Sequence, residues 1–186
     1  MAEGRFTNPV VASLAGVKDF FAKQELAGRF TEQDRADGMT VLITGANSGL
    51  GFALAVEFAK RGARVIMAGR SKIPEAGDQV KKLSASETVE MRYLDLSKID
   101  TIHSFVQSLA DQKIQVDICI LNAATALPGS RETASGQDEM FLVNYLSNVI
   151  LTQELMSKSV IRLKGATRLP KMIFISSDSH QGATYI

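Results

Sequence analysis

The sequence predicts an α/β protein built on a doubly wound parallel sheet, and three observations support this class. From residue 40 onward, short apolar runs alternate with longer amphipathic ones, which is the order expected when each strand is followed by a helix that crosses back over the sheet. Several apolar runs are nearly continuous Val, Ile, Leu and Met, as in strands that are covered on both faces. A glycine cluster, TGANSGLG at 44–51, separates the first apolar run from the first amphipathic one.

The alternation predicts five strands with helices between them. The predicted strands are residues 40–44, 64–69, 89–94, 116–122 and 171–176. Apolar residues at helical spacing mark the helices: Leu50, Leu54 and Phe58 in the first, and Ile99, Ile102, Phe105 and Leu109 in the third. Gly62 follows the first of these stripes and is interpreted as its C-terminal stop.

The segment 138–158 is predicted to be the longest and most apolar helix. Its apolar residues are spread around most of the helix circumference. Such a helix either lies deep in the core or packs against the sheet on one side and a partner on the other. The sequence leaves open both a core position and a homodimer contact through this helix.

Residues 1–38 precede the first strand and are predicted to form an N-terminal helical extension, with residues 39–186 forming the main domain. Val10, Leu14, Val17 and Phe21 recur at helical spacing. The polar residues between them carry no basic excess, which favours a helix packed on its own domain over a helix on a membrane surface or a partner.

The composition narrows the function classes. The chain has 186 residues, 45% of them hydrophobic, and a formal net charge of +1, so no attraction to nucleic acid or to an anionic membrane is expected. Its single cysteine, Cys119, favours a reducing, cytoplasmic location. We expect no integral membrane segment, because no run of 18 apolar residues occurs. No cluster of Cys, His and acidic residues has metal-ligand spacing, so no metal site is predicted.

The glycine cluster is predicted to bind a pyrophosphate. Gly45, Gly49 and Gly51 lie where the first strand turns sharply into a helix, and glycine there lets the backbone approach a ligand closely. The helix that follows presents unpaired N–H groups and the positive end of its dipole. The alternative is a glycine-rich turn that binds nothing. No Lys-Ser/Thr pair follows the last glycine, which disfavours a nucleoside triphosphate loop.

At this point the sequence resembles the short-chain dehydrogenases/reductases, which bind a nicotinamide dinucleotide on a Rossmann-type sheet with strand order 3-2-1-4-5. Beside TGANSGLG, four later motifs are similar to those of the family, in the same order: LDL at 94–96, LNAAT at 121–125, VNYL at 143–146 and ISSDSH at 175–180. The last is similar to the retinol dehydrogenase, protochlorophyllide reductase and WW-domain oxidoreductase branch. The resemblance implies a small-molecule carbonyl or alcohol substrate, for which no residue specifies the identity.

The resemblance also implies residue roles. Asn144 corresponds to the catalytic asparagine of the family and Ser177 to its catalytic serine. Asp95 corresponds to the aspartate that contacts the adenine ring. The cofactor-binding residues expected are Gly45, Asn47, Ser48, Gly49, Leu50, Gly51, Arg70, Ser71, Asp95, Leu96, Asn122, Ala123 and Ala124.

The end of the second strand bears on the choice of dinucleotide. An acidic residue there typically binds the ribose hydroxyls of NAD, whereas a basic residue suits the additional phosphate of NADP. The strand is followed here by Arg70 and Ser71, and a guanidinium can pair with the 2′-phosphate while a hydroxyl adds a hydrogen bond. We therefore expect NADP rather than NAD, unless Arg70 only covers the sheet edge.

The catalytic Tyr-x-x-x-Lys pair of the family has no counterpart in these 186 residues. Tyr185 lies only eight residues after Ser177, and no lysine follows it. A positioned general acid typically contributes about 10²- to 10⁴-fold in rate. We expect an NADP-dependent oxidoreductase represented by its cofactor-binding half, truncated before this pair and inactive by itself. The alternative is a non-catalytic module that binds NADP or pairs with another subunit.

Overall fold

The computed structural model describes residues 31, 33–162 and 168–176. Residues Asp34–Ile175 form one compact unit. The predicted helical extension, residues 1–38, lies almost entirely outside the described residues. The predicted catalytic Ser177 also lies outside them.

The core of the unit is a sheet of five parallel strands in the order β3-β2-β1-β4-β5. This confirms the predicted Rossmann-type doubly wound fold. In the middle of the sheet, Val41 of β1 is in register with Val65 on one side and with Ile118 on the other. The strands are β1 (Thr40–Thr44), β2 (Arg64–Gly69), β3 (Val89–Tyr93), β4 (Ile118–Leu121) and β5 (Lys171–Phe174).

Helices cover both faces of the sheet. They are α1 (Gly49–Lys60), α2 (Glu75–Ser84), α3 (Ile99–Asp111), α4 (Glu139–Phe141) and α5 (Ser147–Ser157), with a π-helical segment, Leu142–Leu146, between α4 and α5. Val41 and Ile43 of β1 belong to the apolar layer beneath α1 and α2, whereas Leu42 belongs to the layer beneath α3 and α5. Successive side chains of a strand point to opposite faces, so both faces of β1 are buried.

The face of α1 that packs on the sheet is not the predicted stripe. Leu50 is exposed, and Leu54 and Phe58 are only half-buried. The buried residues are Gly51, Ala55, Val56 and Ala59, which are small enough to let the helix axis approach the strands closely. Leu54 and Phe58 are partly buried beside this face and pack against the core, whereas Leu50 of the predicted stripe does not.

The predicted helix over 138–158 exists, but its backbone changes geometry in the middle. The π-helical segment contains Asn144, and such segments are frequent at functional sites. Leu142, Leu151 and Leu155 are fully buried, whereas Phe141 and Tyr145 are exposed and their rings lie 5.5 Å apart. The helix therefore buries one face in its own unit and leaves an aromatic pair outside.

Three strands, β3, β4 and β5, are shorter than predicted, because the hydrogen bonding between strands ends where the chain leaves the sheet. Val116 donates its N–H to Val160 instead of joining β4, and Asn122 leaves the sheet for the loop at its end. β5 lies at an edge of the described sheet, and Phe174 on it is 59% exposed. An edge of this kind is open to further pairing.

Candidate functional site

A cleft of about 420 Å³ lies at the carboxyl ends of the central strands, where the strand order reverses between β1 and β4. Ligands of open α/β sheets bind at such a point. The lining residues are Thr44, Gly45, Asn47, Ser48, Ala68, Gly69, Arg70, Ser71, Leu94, Asp95, Leu96, Asn122, Ala123, Ala124, Thr125 and Val143.

The floor of the cleft is held by hydrogen bonds between the ends of β1 and β4. The Thr44 hydroxyl oxygen accepts from the backbone N–H groups of Asn122 and Ala123, at 3.0 Å each. In return, Nδ2 of Asn122 donates to the carbonyl oxygen of Thr44 at 3.0 Å and more weakly to that of Gly45 at 3.4 Å. Asn122 therefore ties down the first residues of the glycine loop and leaves the top of the loop open.

Two glycines of the loop are required by close contacts below it. A Cβ at Gly51 would lie 2.5 Å from Nδ2 of Asn122 and 2.6 Å from the carbonyl oxygen of Gly45, and one at Gly45 would lie 2.8 Å from Cα of Ala123. Gly49 differs, because its φ is +57° and the space around a Cβ there is open. The loop is thus packed on its lower side and accessible from above.

The amino end of α1 is available to an anion. Ser48 occupies the N-cap position, but its side chain makes no capping hydrogen bond. The N–H groups of the first helical turn have no partner within the helix, and the helix dipole adds positive potential there. A phosphate group above Gly49 would satisfy these donors.

The glycine loop is linked to the end of β2 by a side-chain hydrogen bond. Nδ2 of Asn47 donates to the Ser71 hydroxyl oxygen at 2.9 Å. That hydroxyl keeps its own proton to donate to a ligand. Arg70 is exposed beside it and also lines the cleft, so a hydroxyl and a guanidinium meet at this end of the site.

Asp95 follows β3 after Leu94, lines the cleft and is 8% exposed. One of its carboxylate oxygens accepts from the backbone N–H and the hydroxyl of Ser97, at 3.1 and 2.7 Å. The other is 3.9 Å from Nζ of Lys98. The turn therefore fixes the carboxylate through one oxygen at the edge of the cleft.

Asn144 does not line the cleft but holds one of its walls. Its Oδ1 accepts from the backbone N–H of Thr125 at 2.8 Å, and its Nδ2 donates to the backbone carbonyl of Thr125 at 2.9 Å. The carbonyl of Asn144 accepts from Nδ2 of Asn148 at 3.0 Å. The π-helical segment thus positions an amide that binds the loop after β4.

Charged residues surround the amino end of α4, which follows the loop. Asp138 caps it by accepting from the N–H of Phe141 at 2.9 Å. Two nitrogens of the Arg131 guanidinium donate to the Glu139 carboxylate, one of them at 2.7 Å. This ion pair lowers the pKa of Glu139 below its ordinary value, whereas burial raises that pKa. More weakly, the charge of Arg70 lowers the pKa of Glu139 and the charge of Asp95 raises it.

The structure brings most of the predicted cofactor residues into the cleft and places three beside it. Gly49, Leu50 and Gly51 form the first turn of α1, where the side chain of Leu50 is exposed and Gly51 packs against Asn122. The predicted site did not include Thr44 and Thr125. Thr44 could have been predicted, because the glycine motif TGANSGLG begins with this residue. Nothing in the neighbouring sequence distinguishes Thr125.

The family model for short chain dehydrogenases matches residues 39–183. The chain belongs to this family. It is 31% identical over 180 residues to human retinol dehydrogenase 13, an alignment that covers 95% of this chain and 53% of that protein. It is 35% identical over 147 residues to the human WW domain-containing oxidoreductase, covering 77% of this chain and 34% of that one. The chain thus spans about half the length of one relative and about a third of the other.

Solved structures agree with the fold of this chain. A Mycobacterium paratuberculosis protein is 33% identical with a TM-score of 0.59, covering 70% of this chain and 47% of that one. The NADP complex of Pseudomonas aeruginosa RhlG has a TM-score of 0.65 at 24% identity, covering 80% and 58%. At this identity the second likeness supports the fold alone.

Two features are absent from the described part of this chain. None of its described helices combines the length and apolar character needed to cross a membrane. Among the same residues, no group of three or more His, Cys, Asp and Glu side chains is arranged to hold a metal ion.

Burial raises the pKa of Cys119 to about 12, so its thiol stays protonated and is a poor nucleophile.

Proposed function

We propose that the cleft binds NADP and that the protein acts as an oxidoreductase that transfers hydride between this cofactor and a small carbonyl or alcohol substrate. The observation that carries the proposal is the position of Arg70 and Ser71, which line the same cleft as the uncapped amino end of α1. A dinucleotide phosphate needs both: a site for its pyrophosphate and a separate cation for its 2′-phosphate.

Each part of the cleft has a group suited to one part of this cofactor. The first-turn N–H groups of α1 would hold the pyrophosphate, and Arg70 with the Ser71 hydroxyl would hold the 2′-phosphate. The accessible loop above Gly49 leaves room for these groups. Asp95 and Leu96 would contact the adenine ring, and Asn122, Ala123 and Ala124 would lie along the remaining length of the cofactor. Bound NADP would supply or accept the hydride.

The catalytic roles follow from the family and stay proposals. Ser177 would orient the substrate oxygen. Asn144 would act by fixing the loop after β4 through Thr125, with which it makes two hydrogen bonds. A solved relative supports the cofactor, since an Escherichia coli short chain dehydrogenase that is 26% identical to this chain was crystallised as a complex with NADPH. The name of retinol dehydrogenase 13 supports a lipid-like alcohol as substrate class.

Titration of the purified chain with NADPH and NADH tests the proposal, with nicotinamide fluorescence as the readout. We expect tighter binding of NADPH. Arg70→Glu should weaken it by about 10- to 100-fold, since a charge-assisted hydrogen bond is lost, and leave NADH nearly unchanged. Arg64→Gln is the matched control, because Arg64 pairs with Glu90 at the far end of β2. Failure to bind either dinucleotide would overturn the proposal.

Whether the coding sequence continues past Ile186 into a Tyr-x-x-x-Lys pair separates the enzyme from its rival, a non-catalytic NADP-binding or subunit-pairing module. Tight NADPH binding without turnover of a carbonyl panel is expected of this chain under both readings, because the pair has no counterpart in these 186 residues. The aromatic pair Phe141 and Tyr145 on the outer side of the long helix supports homodimer contact through that helix. The unpaired Cys119 supports a reducing cytoplasmic location.

A further inference from the structure

The hydroxyl of Ser147 hydrogen-bonds the loop that follows β3. Ser147 is the first residue of α5 and is fully buried. Its hydroxyl donates to the backbone carbonyl oxygen of Leu96 at 2.5 Å, across 51 positions of sequence. Because Leu96 lines the cleft, this hydrogen bond joins the long helix to one of the cleft walls.

The carbonyl that Ser147 binds belongs to the same peptide unit that holds the Asp95 carboxylate. The bond between Leu96 and Ser97 joins the Leu96 carbonyl to the Ser97 N–H, and the atoms of such a unit lie close to one plane. That N–H donates to a carboxylate oxygen of Asp95 at 3.1 Å, which also accepts from the Ser97 hydroxyl at 2.7 Å. Rotation of this peptide unit would move both ends, and the hydrogen bond from Ser147 restrains that rotation.

A carboxylate fixed in this way can distinguish adenine from a similar base. Asp95 lines the cleft, and its second oxygen is 3.9 Å from Nζ of Lys98, which is beyond hydrogen-bond distance. That oxygen is therefore available to accept from the 6-amino group of adenine. Hypoxanthine has a carbonyl oxygen at the same place, which a carboxylate repels because an ionised carboxylate only accepts hydrogen bonds. A site built for one donor rejects the analogue that lacks it.

We propose that Ser147 is a positioning residue for adenine recognition: through the peptide unit between Leu96 and Ser97, it holds the Asp95 carboxylate in the orientation that accepts from the base. The inference rests on the proposed function, because it concerns the adenine end of the same dinucleotide. Ser147 is not among the residues that line the cleft and acts through Asp95. Its effect therefore falls on the choice of base and not on the 2′-phosphate.

Ser147→Ala tests this in the full chain, which is titrated with NADPH and with its hypoxanthine analogue while nicotinamide fluorescence is followed. Alanine has nearly the volume of serine and favours a helix, so this variant should keep the fold. We expect the parent to bind NADPH about tenfold more tightly than the analogue, as for a hydrogen bond to a charged group, and Ser147→Ala to lower this preference to about threefold or less.

Two further variants control the experiment. In Ser84→Ala a hydroxyl is lost that also donates to a backbone carbonyl, that of Val80 at 2.7 Å, but within its own helix α2. This variant should keep the full preference for NADPH over the analogue. Asp95→Ala should lose the preference by itself, and adding Ser147→Ala to it should change the ratio no further, because the two residues act in one chain of contacts.

The outcomes separate this inference from the function on which it rests. If Ser147→Ala keeps the full preference for adenine, or weakens both ligands equally, Ser147 only supports the fold; the inference is then wrong and the dinucleotide site stands. A parent that binds NADPH but does not distinguish the bases also overturns the inference alone. A parent that prefers NADH overturns the choice of cofactor, and the same comparison is then made with NADH and its hypoxanthine analogue. A parent that binds no dinucleotide overturns the proposed function and the inference with it.

Discussion

The side-chain amide of Asn144 hydrogen-bonds both backbone groups of Thr125, at 2.8 and 2.9 Å. The long helix of one layer is thereby tied to the loop that forms a wall of the cleft. Because both polar groups of the amide are engaged, the contribution of Asn144 in this structure is to hold that loop in place.

Replacing Asn144 by Ala should therefore loosen the loop. We expect a loss of about 1 to 2 kcal/mol in the free energy of unfolding, from two partly exposed hydrogen bonds, together with weaker dinucleotide binding. Denaturant titration and NADPH fluorescence measure the two effects. Gln107→Ala is the control, because Gln107 is an exposed amide on α3 that makes two hydrogen bonds, to Asp111 and from Lys158, and does not line the cleft. Unchanged binding of NADPH by Asn144→Ala would contradict the role assigned to the Thr125 contact.

The Thr44 hydroxyl should be required for the floor of the cleft. Thr44→Val keeps the shape but leaves the N–H groups of Asn122 and Ala123 without their acceptor. Unsatisfied buried donors cost about 1 to 3 kcal/mol each, so denaturant titration should show clear destabilisation. Thr44→Ser retains the oxygen and should be much closer to the parent. A Thr44→Val variant as stable as the parent would contradict the role assigned to the hydroxyl.

Gly51 should not tolerate a side chain. In Gly51→Ala the new Cβ would fall within 2.6 Å of both Asn122 and the Gly45 carbonyl. The glycine loop or α1 would have to shift, which typically costs about 1 to 3 kcal/mol, and dinucleotide affinity should fall with it. Gly129→Ala is the matched control, because nothing lies within 4 Å of a Cβ there. Normal binding by Gly51→Ala, measured by NADPH titration, would refute the close packing of the loop.

Acid should weaken the cap of α4. Hydrogen bonds from Ser130 and from the Phe141 N–H lower the pKa of Asp138. A carboxyl whose pKa is lower in the folded state stabilises that state at pH values above its unfolded pKa of about 3.9, and the contribution is lost as the pH falls through the lower folded value.

The comparison of the parent with Asp138→Asn measures this contribution, since Asn keeps a capping oxygen but cannot ionise. We expect the parent to have the higher melting temperature at neutral pH and the difference to shrink on acidification below about pH 4. A difference that stays constant with pH would show that the ionised form of Asp138 contributes no stability.

The local chemistry of the sequence predicted the elements and the position of the cleft. The bounds of β1 and β2 agree with their apolar runs, 40–44 and 64–69. The strand order and the glycine loop also agree with the family motifs. These features depend on periodicity and on residues adjacent in the chain, and such signals are present before the chain folds.

Contacts between distant segments were decided only by the tertiary structure. Thr44 and Asn122 are 78 positions apart and meet because β1 and β4 become neighbours. The small residues of α1 pack inward while Leu50 stays exposed, because close approach of the helix to the sheet matters more than the size of each apolar side chain. Sequence patterns identify which groups are available, and the folded chain decides which of them meet.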